Sequence, residues 1–345
     1  MSTTVRAKAM TAPDARFETI DLARRDLRPT DVLIGVAYAG ICHSDIHHAR
    51  ADWGHTTYPI VPGHEIAGTV AAVGDQVTAH SVGDRVGVGC LVNSCRTCAA
   101  CRAGEEQYCP NDVLTYNSVD LDGAPTHGGY SQQIVVDEHF VLRVPDGIPL
   151  AQAAPLMCAG ITLYSPLARW GADSGRRVGI LGLGGLGHLG VQLSSAMGAH
   201  TTVFDTDEAK RPDARRLGAD EFVAVSTAGP TTEVEDLDLI VSTVPVPLDL
   251  DGYLKQLALG GVFVNLGVPP LPLSVQAHSL LRNRRSLTGS LIGGLTETQA
   301  MLDYCAARGV RSEVEVIGAD AIDEAYDRVI KGDVRYRFVI DISTI

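Results

Sequence analysis

The chain has 345 residues and carries 28 basic against 41 acidic side chains, a formal net charge of −13. That length is ample for two domains, and a composition 45% apolar and 20% charged excludes a disordered chain. The acidity excludes a generic nucleic-acid or anionic-membrane surface, because phosphate binding needs a basic footprint, but it leaves room for a small basic pocket around one phosphorylated ligand.

The opening MSTTVRAKAM lacks the apolar stretch of a secretory peptide, so a cytoplasmic protein is expected. In chain order, residues 32–38 (VLIGVAY), 66–73 (IAGTVAAV) and 83–88 (GDRVGV) read as strands between turns. Helical periodicity is weak here, which predicts a β-rich, barrel-like first domain over residues 1–155 with long excursions. The most membrane-like stretch is 151–168 (AQAAPLMCAGITLYSPLA), but Gln152, Thr162, Ser165, Pro155 and Pro166 argue against a spanning helix.

From Val178 strands alternate with helices. Residues 178–181 (VGIL) form a strand, and 188–197 (HLGVQLSSAM) an amphipathic helix closed by Gly198. Residues 201–205 (TTVFD) form the next strand, and 208–217 a helix closed by Gly218 that Pro212 shortens. EFVAV, DLIVSTV and GVFVNLGV follow as apolar strands. This alternation predicts an α/β second domain over residues 156–290, doubly wound, with a parallel sheet covered on both faces. The last segment, 291–345, is short for an independent core and is expected to return to the first domain.

Gly182-Leu-Gly184-Gly185-Leu186-Gly187 fits G-x-G-x-x-G between a strand and a helix. Gly182 permits the tight turn, Gly184 lets the backbone approach a pyrophosphate, and Gly187 lets helix and strand pack closely. The helix N-terminus offers N–H groups and partial positive charge to that anion. The bland reading is a glycine-rich turn without ligand. Asp205, ending the next strand, suits a ribose diol and repels a 2′-phosphate, which favours NAD over NADP. Lys210 and Arg211 follow closely and are compatible with a phosphate, so NADP stays possible.

Of eight cysteines, Cys95, Cys98, Cys101 and Cys109 form C-x2-C-x2-C-x7-C. Four thiolates close a tetrahedral shell around zinc, a structural arrangement. An iron–sulfur site is the competitor, although the x7 gap departs from the ferredoxin run. Cys90 and Cys305 read as small buried hydrophobes. Cys42, His64 and Cys158 offer a thiolate, an imidazole and a second thiolate, a three-ligand set with one open position. Their spacing is too irregular to establish this, and on spacing alone core residues are the favoured reading.

The stretch GHEIAGTVAAVG, the four-cysteine lobe at 90–110 and GLGGLG together resemble the zinc-dependent alcohol dehydrogenases of the medium-chain dehydrogenase/reductase superfamily. ICHSDIH, YPIVPGHE, EEQYCP, AAPLMCAGITLYSPL and DVRYRFVID are most similar to its cinnamyl alcohol dehydrogenase-like branch. The resemblance spans essentially the whole chain. It implies a GroES-like β-rich catalytic domain beside a Rossmann domain, two Zn2+ ions per chain, a small alcohol or aldehyde substrate, and a homodimer formed between nucleotide-binding domains.

Carried over residue by residue, Cys42, His64 and Cys158 resemble catalytic zinc ligands, with Glu65 as the adjacent acid. Cys95, Cys98, Cys101 and Cys109 resemble the structural set. Ser44 resembles the hydroxyl that takes the substrate's proton, His47 the residue that passes it on, and Asp45 the acid behind the metal. Thr162 resembles a nicotinamide contact. Arg335 resembles the cofactor-side arginine, with Arg337 two residues on. Two departures stand out. Leu114 replaces the pocket aromatic usual in plant members, and Asp205 replaces the small hydroxyl residue usual in NADP-using ones. Trp53, Leu114, Leu291 and Ile292 are the expected pocket lining. The expected activity is interconversion of primary, aromatic or allylic alcohols and aldehydes with NAD(P). Its rivals are a same-fold reductase of conjugated or iminium substrates and a nucleotide-binding protein without turnover.

Overall fold

The computed structural model describes residues 3–226, 229–230 and 234–345. The chain forms two units. One runs to Cys158 and adds Gly294–Ala307 and Arg311–Ile345; the other is Ala159–Gly293 with Arg308–Val310.

The first unit is built on a seven-stranded sheet. Its path is Val314–Gly318, Arg337–Asp341, Asp31–Gly40, Ile66–Val73, Arg85–Val88 and Leu142–Arg143, and Gln133–Asp137 also pairs with Asp31–Gly40. All pairings are antiparallel except that of Val314–Gly318 with Arg337–Asp341. The C-terminal strand thus lies beside Asp31–Gly40, matching Val339 to Gly40. Alternate residues point inward, so Val32, Ile34, Ile66, Val86, Ile134, Val136, Phe338 and Ile340 form the core. A separate two-stranded ribbon, Thr3–Ala9 with Glu18–Arg24, flanks this sheet.

The second unit is a six-stranded, fully parallel sheet. Its order is Glu221–Ala224, His200–Asp205, Arg177–Leu181, Leu237–Ser242, Leu257–Asn265 and Ser286–Gly289. Numbered within the unit this is 3-2-1-4-5-6, the doubly wound dinucleotide-binding order. Phe204, Tyr253 and Phe263 anchor its core with Leu237, Ile240 and Leu257.

Two expectations are refined by local chemistry. The helix expected over 208–217 is a 3₁₀ turn, Glu208–Lys210, followed by an α-helix, Arg211–Arg216, with Pro212 in its first turn. Proline lacks the N–H that an interior position needs and is tolerated at a helix start, so it begins the α-helix. The stretch 151–168 is divided among Leu150–Ala153, a 3₁₀ turn Ala154–Met157 and Ala159–Arg169. Among the described residues no helix is long and apolar enough to cross a membrane. Cys158 occupies the break between the last two pieces.

The helix Gly187–Met197 follows the first parallel strand and ends at Gly198, which has φ +98°. At its start Gly187 faces the Gly182 carbonyl so closely that a Cβ has no room. Replacing Gly187 with Ala should therefore destabilise the second unit by about 1–3 kcal/mol, the usual cost of overpacking. A lower urea midpoint measures this; an unchanged midpoint would mean the turn relaxes freely.

Candidate active site

Four donors converge in the first unit. Cys42 ends the strand region and N-caps the helix His43–Ala49. His64 and Glu65 lie immediately before the strand Ile66–Val73, and Cys158 sits at the helix break. One ligand atom from each of Cys42, His64, Glu65 and Cys158 falls within 4.8 Å of all the others, and all four residues are buried. Gly40 makes this possible: a Cβ there would collide with the Glu65 carboxylate. The Cys42 thiol is held well below its usual value, chiefly by a hydrogen bond with Cys158 and then by His64, against the effect of burial.

The donor chemistry fits a metal ion. Two thiols and an imidazole are zinc ligands, and buried Glu65 Oε2 has no hydrogen-bond partner. The other Glu65 oxygen, Oε1, pairs with Arg337 Nη2, which is buried as well. Burial pushes the Glu65 carboxyl up to about 7, opposed mainly by Arg337.

Asp45 stands behind this set. Its carboxylate accepts from Cys42 N at 2.8 Å and Gly63 N at 3.1 Å, and lies 3.2 Å from His64 Nδ1. With Nδ1 engaged by Asp45, Nε2 is the nitrogen free for a ligand role. Tyr116 stacks on His64 with centroids 5.8 Å apart.

Ser44 Oγ is 3.7 Å from Cys42 Sγ. His47 lies three residues on along the same short helix, so the two share a face. His47 Nδ1 meets Asp52 Oδ2 at 2.9 Å, and its ring stacks on Trp53 at 4.7 Å. Trp53 and Leu114 belong to the first unit, Leu291 and Ile292 to the second.

Cys95, Cys98, Cys101 and Cys109 also bring their sulfur atoms within 4.8 Å of one another. Backbone N–H groups of Cys98 and Cys101 point at the Cys95 and Cys98 sulfurs at 3.3 and 3.4 Å. N–H groups of Thr97 and then Cys98 help lower the Cys95 thiol to about 6. The lobe is fastened by buried Glu106, whose carboxylate accepts from Leu295 N at 3.0 Å and so caps the helix Leu295–Arg308.

In the second unit the glycine loop follows the strand Arg177–Leu181. Gly182 has φ +92°, and no atom lies within 4 Å of the place a Gly184 Cβ would occupy. That open backbone, with Gly185 and Leu186 leading into the helix, fits a pyrophosphate. Asp205 Oδ2 accepts from Leu183 N at 2.7 Å, and Oδ1 from Asp207 N at 2.9 Å. Lys210 Nζ stands 3.1 Å from the same carboxylate. Thr162 is buried in the helix Ala159–Arg169. Arg335 is exposed, with its guanidinium over Tyr336; the arginine that reaches the buried donor set is Arg337. Neither the Glu65–Arg337 pair nor the Asp45 network had been read from spacing, since their partners lie far apart in the chain. Asp52, five residues after His47, and Asp45, three after Cys42, are the partners within local reach.

A zinc-dependent dehydrogenase is the class that this pairing of a buried thiol–imidazole set with a dinucleotide-type sheet defines. Residues 28–146 match the alcohol dehydrogenase GroES-like domain, and residues 185–307 the zinc-binding dehydrogenase family. NADP-dependent alcohol dehydrogenase C 1 of Mycolicibacterium smegmatis is 53% identical, with 99% of each chain covered. Aldehyde reductase YahK of Escherichia coli is 49% identical over 99% of each. A cinnamyl alcohol dehydrogenase from Helicobacter pylori, solved with NADP(H), is 41% identical with a TM-score of 0.94, covering 99% of both chains. The chain belongs to the zinc-dependent alcohol dehydrogenase family of the medium-chain dehydrogenase/reductase superfamily, in its cinnamyl alcohol dehydrogenase-like branch.

Replacing Arg337 with Ala would leave Glu65 buried without its cation. Breaking a buried pair in this way costs about 3–5 kcal/mol, so the urea midpoint of the first unit should fall steeply. A midpoint equal to the parent's would show that Glu65 needs no counter-charge.

Proposed function

We propose that the chain interconverts primary, aromatic or allylic alcohols and their aldehydes, using NAD(P). The observation that carries this is the buried convergence of Cys42, His64, Glu65 and Cys158, with Ser44 beside it. Cys42, His64 and Cys158 hold the catalytic zinc; Cys95, Cys98, Cys101 and Cys109 hold a structural one. When bound, such an ion would supply Lewis acidity at a substrate oxygen and the dinucleotide would supply or take up the hydride.

The chain's own residues do the rest. Two thiolates balance a divalent charge and Arg337 balances Glu65, so the buried set closes near neutrality. Ser44 takes the proton of the substrate hydroxyl and releases its own toward His47. Asp52 orients His47 and stabilises the imidazolium, which then gives the proton to solvent. Asp45 keeps the His64 ring in its coordinating orientation. Thr162 and the loop Gly182–Gly187 hold the dinucleotide, and Trp53 provides an aromatic wall beside His47.

The relatives named above include NADP-dependent enzymes. For this chain we assign a preference for NAD, because the Asp205 carboxylate at the strand end repels a 2′-phosphate. Lys210 offsets part of that repulsion and keeps NADP usable. The physiological partner copy is a second chain of the same sequence.

With purified, zinc-loaded protein, benzyl and cinnamyl alcohol should generate reduced nicotinamide. Ser44→Ala should lower kcat about 10²–10⁴-fold while zinc content stays at the parent level; full turnover in that variant would remove Ser44 from the proton path. Asp205→Ser should raise the NADP-to-NAD ratio of kcat/KM at least about tenfold, equivalent to about 1.4 kcal/mol. A constant ratio would show that discrimination lies elsewhere.

A further inference from the structure

The fully buried Asp45 carboxylate has a fourth hydrogen-bond donor that comes from neither ligand segment. Tyr130 donates its hydroxyl to Asp45 Oδ2 at 3.4 Å across 85 residues of sequence. The Tyr326 hydroxyl donates in turn to Tyr130 Oη, also at 3.4 Å. With Tyr326 donating to its oxygen, Tyr130 has its own proton to give to Asp45. Burial, and then the Asp45 charge, holds the Tyr130 phenol well above its usual value, so it remains a donor.

The surroundings hold this ring in one place. Residues 128–130 lace onto the segment leading to His64: Gly128 N bonds Val61 O at 2.8 Å, Gly129 N bonds Gly63 O at 2.8 Å, and Tyr130 N bonds Pro62 O at 3.0 Å. Gly63 has φ +105°, and a Cβ there would stand 2.6 Å from Tyr130 Cδ1. Behind the segment, buried Arg24 gathers its backbone. Its guanidinium donates to His127 O at 2.8 Å, Gly128 O at 2.9 Å, Ser131 Oγ at 2.6 Å and Gln133 O at 2.8 Å. Phe17 packs against both tyrosines, with centroids 6.0 and 5.2 Å away.

We propose that Tyr130, oriented by Tyr326, is a positioning residue of the metal centre: its hydroxyl locks the Asp45 carboxylate, and through Asp45 the His64 ring, in the coordinating geometry. The inference rests on the reading of Cys42, His64 and Cys158 as zinc ligands. A buried carboxylate short of one donor can turn, and turning releases His64 Nδ1. Groups behind metal ligands alter affinity about 10–100-fold; one layer further back, a smaller effect of about 3–10-fold is expected for Tyr130→Phe.

The test is metal retention against a graded chelator, in parent, Tyr130→Phe and Tyr326→Phe proteins loaded with zinc, and in the same three loaded with cobalt. The four-thiol lobe serves as an internal control, since its cobalt charge-transfer bands differ from those of a two-thiol site. The expected result is that Tyr130→Phe loses the Cys42–His64–Cys158 ion about 3–10 times more readily and shifts its cobalt bands. The lobe's ion should be unmoved and Tyr326→Phe should be intermediate. Equal retention in all three proteins, tighter retention in Tyr130→Phe, or parallel loss from both sites would overturn the proposal. If Tyr130→Phe fails to fold, Tyr326→Phe decides on the same readouts. A parent that holds an ion only at the four-thiol lobe would overturn the zinc-ligand reading itself, and the proposal with it.

Discussion

The structure of the first unit depends on burying charge. Cys42, Asp45, His64, Glu65, Cys158 and Arg337 are all removed from water within one small volume. Isolated, each ionised group would be costly there. Together they are mutually satisfied: Arg337 meets Glu65, Asp45 meets His64 and two backbone N–H groups, and the thiols meet each other. Glu65 Oε2 and Arg337 Nε remain without a hydrogen-bond partner, and two thiols and an imidazole converge with that carboxylate. The four converging donors are a set that could hold a metal ion, and the desolvation that makes the cluster costly is what gives such a set its electrostatic strength.

The second unit meets a different demand, close approach of backbone to an anion. Gly184 leaves space, Gly187 brings the helix against the turn, and Asp205 is tied to the loop through Leu183 N. The carboxylate thus helps shape the glycine turn as well as ending the strand His200–Asp205. Lys210 moderates its charge without removing it.

Much of this was legible in the sequence, and the reasons are physical. The parallel sheet announces itself by apolar strands alternating with helices, and the glycine loop by its place between strand and helix. The cysteine lobe is local, so its spacing suffices. The buried donor set is legible only through resemblance, because Cys42, His64 and Cys158 are joined by topology and not by spacing. Arg337 is invisible in the sequence as the partner of Glu65 for the same reason, 272 residues separating the two. Tyr130 gave no signal beyond lying in a GGYS turn, since a buried tyrosine ordinarily reads as core. Pro212 shortens the expected helix, as its missing N–H dictates, by setting the α-helical start at Arg211.

The first unit is discontinuous. Residues Gly294–Ala307 and Arg311–Ile345 complete a body whose main part ends at Cys158. Those late residues supply the helix capped by Glu106, the Tyr326 hydroxyl, Arg337 and the strand beside Asp31–Gly40. During synthesis the parallel-sheet unit has its whole sequence available while the metal pocket still lacks its arginine and its neighbouring strand. A nascent chain can thus finish its second body before its first, leaving Cys42 and Cys158 unenclosed until Arg337 and its strand have been made.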